Sequence, residues 1–220
     1  MAVMTQQDEH HHQGRPMAQT AQDWDERYSG EQVWSGNPNE ALVTEARDLA
    51  PGRALDVGCG EGADSVWLAG QGWDVTALDI STKAVERATA AARQAGMSIT
   101  GVAAPLLEAD LEPASFDLVS VLYPALEATL NRAAEHRLSD LVAPGGTLLV
   151  VHHADIDRER SLSHGFDPDD YVGPDDVAEV LDDSWQVVTR ERRERDVAAG
   201  AGAHHHRDIV LRARRRTSAD

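Results

Sequence analysis

The apolar run Ala54-Leu55-Asp56-Val57 enters a glycine-spaced turn, Gly58-Cys59-Gly60-Glu61-Gly62, and the chemistry of such a pattern is the holding of a ligand by bare backbone. Glycine lets the chain turn sharply and approach a ligand with no Cβ in between. A second carboxylate, Asp79, ends the next apolar run, Val75-Thr76-Ala77-Leu78. It stands close to the offset of about 20 residues at which an acidic side chain accepts hydrogen bonds from ribose hydroxyls. Together the two elements specify an adenosine-containing cofactor. Pyrophosphate-binding turns are spaced Gly-x-Gly-x-x-Gly so that a helix N-terminus receives the phosphates. Here the spacing is Gly-x-Gly-x-Gly, with Asp56 two places before the first glycine, and a carboxylate there suits an ammonium group rather than a pyrophosphate.

Histidine is the other residue type that stands out. His10, His11 and His12 read as a solvated, tag-like run, whereas His152, His153 and His164, and then His204, His205 and His206, fall within the folded part of the chain. Ligands bind at the carboxyl ends of strands in open α/β sheets, and His152-His153 close an apolar run. In an extended segment His204 and His206 project to one side, where imidazoles can share a substrate proton or a divalent metal. Tyr123, at the end of the run Phe116 to Leu122, is a candidate for the border of the same site.

The elements that must position these groups follow from periodicity and punctuation. Asn37-Pro38 predicts a helix start, asparagine as cap and proline in the first turn, with the helix running to Leu49. Strands are predicted over Arg53 to Val57, Asp74 to Leu78, Ser98 to Val102, Phe116 to Leu122 and Thr147 to His152. Helices are predicted over Ala63 to Gly70, Thr82 to Gln94 and Leu126 to Leu141, the last closed by Pro144-Gly145-Gly146. This alternation is the signature of a parallel sheet. An acidic loop from Ala154 to Gly173, one more helix opened by Gly173-Pro174, and strands near Trp185 to Arg192 and His206 to Ala213 complete the pattern. Residues 1–22 read as a mobile leader, 23–216 as one domain and 217–220 as a tail.

Composition removes several classes of function. A net charge of −18 opposes nucleic-acid binding, which rests on Lys and Arg displacing counterions. No apolar run approaches the roughly 20 residues of a membrane span, and the polar N-terminus lacks the regions of a signal peptide, so a cytoplasmic protein is expected. The single cysteine, Cys59, fits no disulfide or metal-ligand spacing.

Leu55 to Gly62 resembles the first motif of class I methyltransferases, and Asp79-Ile80 resembles their acidic residue on the second strand with its adenine-packing neighbour. Ala109-Asp110-Leu111 is similar to the loop that meets the adenine amino group, Phe116-Asp117-Leu118-Val119 to the fourth strand, and Pro144-Gly145-Gly146 to the turn before the fifth. Trp24-Asp25-Glu26-Arg27-Tyr28 with Trp34 resembles the N-terminal cap of the tellurite-resistance and thiopurine methyltransferase-like group, whose aromatic residues cover the methionine end of the cofactor. The resemblance implies S-adenosyl-L-methionine as cofactor on a doubly wound, mostly parallel α/β sheet with an antiparallel C-terminal strand. It assigns cofactor binding to Trp24, Tyr28, Trp34, Asp56, Gly58, Gly60, Asp79, Ile80, Asp110 and Leu111.

If the last strand neighbours the fifth, as in that family, His204 and His206 share an edge with His153. Tyr123, His153, His204 and His206 are then candidate catalytic residues, and the three histidines a candidate divalent-metal site. The chain carries Val121-Leu122-Tyr123-Pro124 where base-modifying amino-methyltransferases have an Asn-Pro-Pro-aromatic tetrad, so a small-molecule acceptor is expected: a soft thiol or chalcogen, or a small amine. Two alternatives stand beside this reading, a noncatalytic metal- or metalloid-binding module and a nicotinamide-dependent oxidoreductase.

Overall fold

The computed structural model describes residues 20–163, 166–195 and 205–217. Seven strands form one sheet in the order β3-β2-β1-β4-β5-β7-β6, from β1 (Arg53–Val57), β2 (Asp74–Asp79), β3 (Thr100–Ala103), β4 (Phe116–Leu122), β5 (Val142–His153), β6 (Trp185–Glu194) and β7 (Arg207–Arg215). The first five pair in parallel. β7 is antiparallel to both its neighbours and fills the slot between β5 and β6.

Alternating side chains send Leu118, Leu149, Val151 and Val210 to one face, against α2 (Glu40–Ala46) and α3 (Ala63–Gly70). Val119, Val121, Val150 and Leu211 go to the other, against α5 (Ala133–Leu141) and α7 (Pro174–Val180). The central strands are buried on both sides, as expected where helices cover both faces of a parallel sheet. On the α3 side, α4 (Thr82–Gln94) lays Val85 and Ala88 on Ala77. The doubly wound sheet with its antiparallel C-terminal element therefore stands as expected. Among the described residues no helix is long and apolar enough to cross a membrane.

Several boundaries differ from the sequence reading, each for a local reason. α2 starts two residues later than Asn37-Pro38 implies, with Asn39 at its cap, because the Asn39 amide and backbone N–H are both donated to the Asp64 carboxylate at 2.7 Å. α5 starts at Ala133 rather than Leu126. The intervening segment is drawn into backbone pairing with residues 170–172, where Val172 N–H donates to Leu126 O and Ala128 N–H to Asp170 O, both at 2.8 Å. β5 begins at Val142, ahead of the Pro144-Gly145-Gly146 turn, and its register to β4 shifts there. β3 begins and ends a residue or two later than predicted. Within the acidic loop lies α6 (Arg158–Ser163). An unpredicted helix, α1 (Ala21–Arg27), opens the described chain on a capping box in which Thr20 and Asp23 satisfy each other's backbone N–H. Thr20-x-x-Asp23 is the sequence signal that could have found it.

Candidate active site

The carboxyl end of β1 runs into a turn whose conformation only glycine adopts readily. Gly58 has φ +73° and nothing lies within 4 Å of where its Cβ would stand, so the space above it belongs wholly to an adjoining cavity. Gly60 has φ +51°, and a Cβ there would press on Trp34 Nε1 and Tyr28 Oη at 3.2 Å. Backbone bonds from Gly58 N–H and Cys59 N–H to Leu78 O, at 2.8 and 3.0 Å, tie the turn to β2.

Asp79, at the end of β2, accepts Gly60 N–H on one oxygen and Ser81 N–H on the other, each at 2.9 Å. A carboxylate offers about four acceptor positions, so the group that sets the turn retains acceptor capacity for a ligand hydroxyl. Burial raises its pKa, and the two backbone donors work against that rise. Asp56 is buried behind the turn, accepts the Ser65 hydroxyl at 2.6 Å, and is pushed up to about 7 by burial and by the neighbouring Asp64. An ammonium group brought to it would meet a carboxyl that ionises readily once a cation is present.

The aromatic cap is locked to this turn by residues the sequence reading passed over. Glu61 accepts Val33 N–H and Trp34 N–H and pairs with Arg87 of α4 at 2.6 Å. Arg87 also donates to the carbonyls of Gly30 and Glu31. Trp34 Nε1–H donates to Tyr28 Oη at 2.9 Å. Asp25 accepts the Ser81 hydroxyl at 2.6 Å and Lys83 N–H at 3.0 Å, fastening α1 over the start of α4. Trp24, Tyr28 and Trp34 accordingly line the cavity, as do Asp56, Gly58, Gly60, Asp79 and Ile80.

Asp110 and Leu111 do not belong with them. The cavity wall beside Ile80 is formed by residues 104–108, Asp110 is exposed, and Leu111 packs against the core under α5. The cause is the end of β3: the loop that leaves the strand over the cavity starts at Ala104. By residue 109 the chain has folded back, where Arg137 holds the carbonyls of Ala109 and Leu111 at 3.2 and 2.8 Å.

The cavity, about 970 Å³, continues across the ends of β4 and β5. Tyr123 follows β4 with φ +52°, a genuine outlier for a bulky residue, pinned by its N–H to Val151 O at 2.8 Å. Its hydroxyl donates to Asp208 of β7 at 2.7 Å. Burial and the Asp208 charge raise the Tyr123 pKa, which keeps the phenol protonated. His153, paired with Asp208 across the β5–β7 register, brings Nδ1 to 3.5 Å from the same carboxylate. The His153 ring lies between Tyr123 and His205, with centroids at 4.5 and 4.0 Å. Arg195 sits over the Tyr123 ring, with Nε 3.7 Å from Asp208. His152 accepts His153 N–H at 2.9 Å; burial, helped by the His153 charge, pushes it down to about 4.

The histidine rim is thus built differently from the expectation. His206 is exposed and absent from the cavity wall, whereas His205 lines it. Pairing with β5 ends at Asp208 and β7 begins at Arg207, so the two-residue alternation of the strand does not reach His206. His204, like the leader residues 1–19 and most of the tail, lies outside the described residues. Among the described residues no group of three or more His, Cys, Asp or Glu side chains is placed to hold a metal ion.

Residues 54–146 match a methyltransferase-domain family. An uncharacterized methyltransferase of Mycobacterium tuberculosis is 37% identical over 135 residues, 61% of this chain and 68% of the relative. A ubiquinone biosynthesis O-methyltransferase of Photorhabdus laumondii is 33% identical over 95 residues, 43% of this chain and 40% of the relative. Among solved structures, a chain described under the conversion of a disulfide bond into a thioacetal group during echinomycin biosynthesis superposes with a TM-score of 0.71 at 25% identity, covering 90% of this chain and 94% of its own. The N-methyltransferase NodS from Bradyrhizobium japonicum, in complex with S-adenosyl-L-homocysteine, shares the fold at a TM-score of 0.66 and 20% identity, with 89% and 97% covered.

Proposed function

Because this chain belongs to the class I S-adenosylmethionine-dependent methyltransferases, we propose that it methylates a small-molecule acceptor held beside the cofactor turn, as one cytoplasmic domain over residues 23–216. The observation that carries the reading is the joint geometry of Gly58, Gly60 and Asp79: a backbone cradle open to the cavity, bordered by a carboxylate with acceptor capacity left. Asp79 would take the ribose hydroxyls, Asp56 the methionine ammonium, and Ile80 with loop 104–108 the adenine. Trp24, Tyr28 and Trp34 would close over the methionine end. S-adenosylmethionine supplies a sulfonium-bound methyl whose leaving sulfur needs no proton, so holding the acceptor in line can supply much of the rate. Tyr123 and His153 border the channel where the acceptor would stand.

A cavity of about 970 Å³ is at the upper end of the range for small-ligand sites, which suits two molecules side by side. The net charge of −18 argues against nucleic acid as acceptor. The likeness of the aromatic cap to tellurite-resistance and thiopurine enzymes favours a soft thiol or chalcogen, with a small amine as the other choice.

Calorimetry with S-adenosylhomocysteine tests the reading. Asp79→Asn, which keeps the side chain's size but removes the charge and turns one acceptor oxygen into a donor, is expected to cost about 1.5–3 kcal/mol of affinity, the scale of hydrogen bonds to a charged group. Unchanged affinity in the folded variant, or preference of the wild type for NAD, overturns it.

A further inference from the structure

We propose that His153, oriented by Asp208, is the general base of the reaction, and that the acceptor is a small molecule whose hydroxyl or thiol must lose its proton as it is methylated. The inference rests on the cofactor placement above and adds to it the chemical class of the acceptor.

Position is the first argument. β1 ends in the cofactor turn, β4 lies beside it and β5 beside that. His153 is therefore two strands, about 10 Å, from the turn, on the same rim and in the same cavity. The second argument is orientation. Both faces of the His153 ring are covered, by Tyr123 and His205, and Nδ1 is turned to the Asp208 carboxylate. The ring keeps 14% of its surface exposed, and His153 is part of the cavity wall. A carboxylate at Nδ1 favours the tautomer with its proton there and leaves Nε2 as the basic nitrogen. Asp208 is itself held by the Tyr123 hydroxyl and by Arg195, so it is a positioning residue with little freedom to swing away. The neighbouring His152, lowered to about 4, is too weak a base for the task near neutral pH.

The rest of the lining supplies the acceptor's character. Leu126, Ile156 and Phe166 stand there with Asp155, Asp157 and Arg160, which fits an acceptor with an apolar body that carries polar groups besides the one presented to His153. In the step itself, Nε2 takes the proton of the hydroxyl or thiol, and the freed lone pair forms the new bond to the methyl carbon. The donor's carbon–sulfur bond breaks with its electron pair kept by sulfur, and the imidazolium afterwards releases the proton to solvent.

The test uses 4-nitrophenol as probe, since its phenolate is read by visible absorbance without any turnover. The whole protein is saturated with S-adenosylhomocysteine and the probe added at a pH below its own pKa in water. The groups that can shape the titration are Asp208 and Arg195, Tyr123, His152 and His205 around the ring, and Asp64 behind Tyr123. We expect the wild type to hold the probe as phenolate and His153→Gln to hold it as phenol. Asp208→Asn should shift the phenolate midpoint upward by at least one pH unit, and His206→Ala, outside the cavity wall, should leave the ionisation in place. S-adenosylhomocysteine affinity, measured on the same samples, should be unchanged in each variant and serves as the check of folding; if His153→Gln fails it, the Asp208→Asn midpoint decides. A probe that binds the wild type as phenol, does not bind, or remains phenolate in His153→Gln through the Arg195 charge overturns the inference. Failure of the wild type to bind S-adenosylhomocysteine overturns the cofactor placement instead.

Discussion

The two ends of the cavity are made of different material. At the β1–β2 end the ligand-facing groups are main chain, set by glycine conformation and fixed by one carboxylate that receives two backbone N–H groups. At the β4–β5–β7 end they are side chains drawn from four separated stretches, Tyr123, His153, Arg195 and Asp208, interlocked by stacking and a shared carboxylate. A backbone cradle recognises what is common to every ligand it receives, whereas a side-chain cluster can be rebuilt one residue at a time to suit a different acceptor. In the proposed reading the difference teaches where specificity resides: the glycine end would fix the donor, and the histidine end would select the molecule that is changed.

Substitutions at the two ends should therefore separate cleanly, and the largest effect should come from the backbone end. Gly58→Val fills the open space above the turn and demands a left-handed conformation of a β-branched residue. It is expected to abolish S-adenosylhomocysteine binding in calorimetry while the circular dichroism spectrum persists; retained binding breaks the comparison at its root. Next in size is the pH response of the same end. Asp56 has its folded pKa raised to about 7, so the folded protein binds a proton there that the unfolded chain gives up near pH 4. That contribution to stability is full below pH 4 and is lost as pH rises through about 7. An ammonium ligand requires the ionised form. Affinity should accordingly rise by up to about tenfold per pH unit toward 7 and level off above it, and Asp56→Asn should flatten the curve. A flat wild-type curve between pH 5.5 and 7.5 would detach Asp56 from the ligand. The smallest effect belongs to the lock between turn and cap. Glu61→Gln removes the charge that holds Arg87 and the 33–34 backbone and should cost about 1–2 kcal/mol of cofactor affinity. Faster amide exchange confined to residues 30–34 would sharpen the comparison, and exchange unchanged there would remove the cap from it.

The same division decides how much of the site is legible in the sequence. The cofactor end is contiguous: strand, turn, helix and the next strand's terminal carboxylate follow one another in 26 residues from Ala54 to Asp79, and local rules for glycine and alternation suffice to place them. Where sequence and structure differ there, as with Asp110 and Leu111, the resemblance falls on residues beyond the loop 104–108 that lines the cavity. The acceptor end depends on pairing between distant strands. Tyr123 and His153 were legible because each ends an apolar run, but Asp208 becomes their partner only through the β5–β7 register, which no local pattern encodes. The exchange of His206 for His205 has the same origin, since parity along a strand holds only while the strand continues. Arg195, just past the end of β6, carries no local signal of its role. Glu61 and Arg87 were visible as residues, yet their task exists only once the cap is folded over the turn.

β7 fills an interior slot of the sheet although it follows β1 to β6 along the chain. While the polypeptide is being made, the edge of β5 stays bare and β6 has no neighbour to pair with until this segment leaves the ribosome. The donor-binding half can settle early, because its strands are sequential. His153 and Asp208 meet only when a late arrival threads between two waiting strands, a non-local pairing of the kind that slows folding. A nascent chain halted before Arg207 would thus be expected to bind the donor's product analogue while offering two open strand edges to neighbouring chains, which makes the acceptor half the place where heat, dilution from denaturant or a missing chaperone should first turn newly made protein toward aggregation.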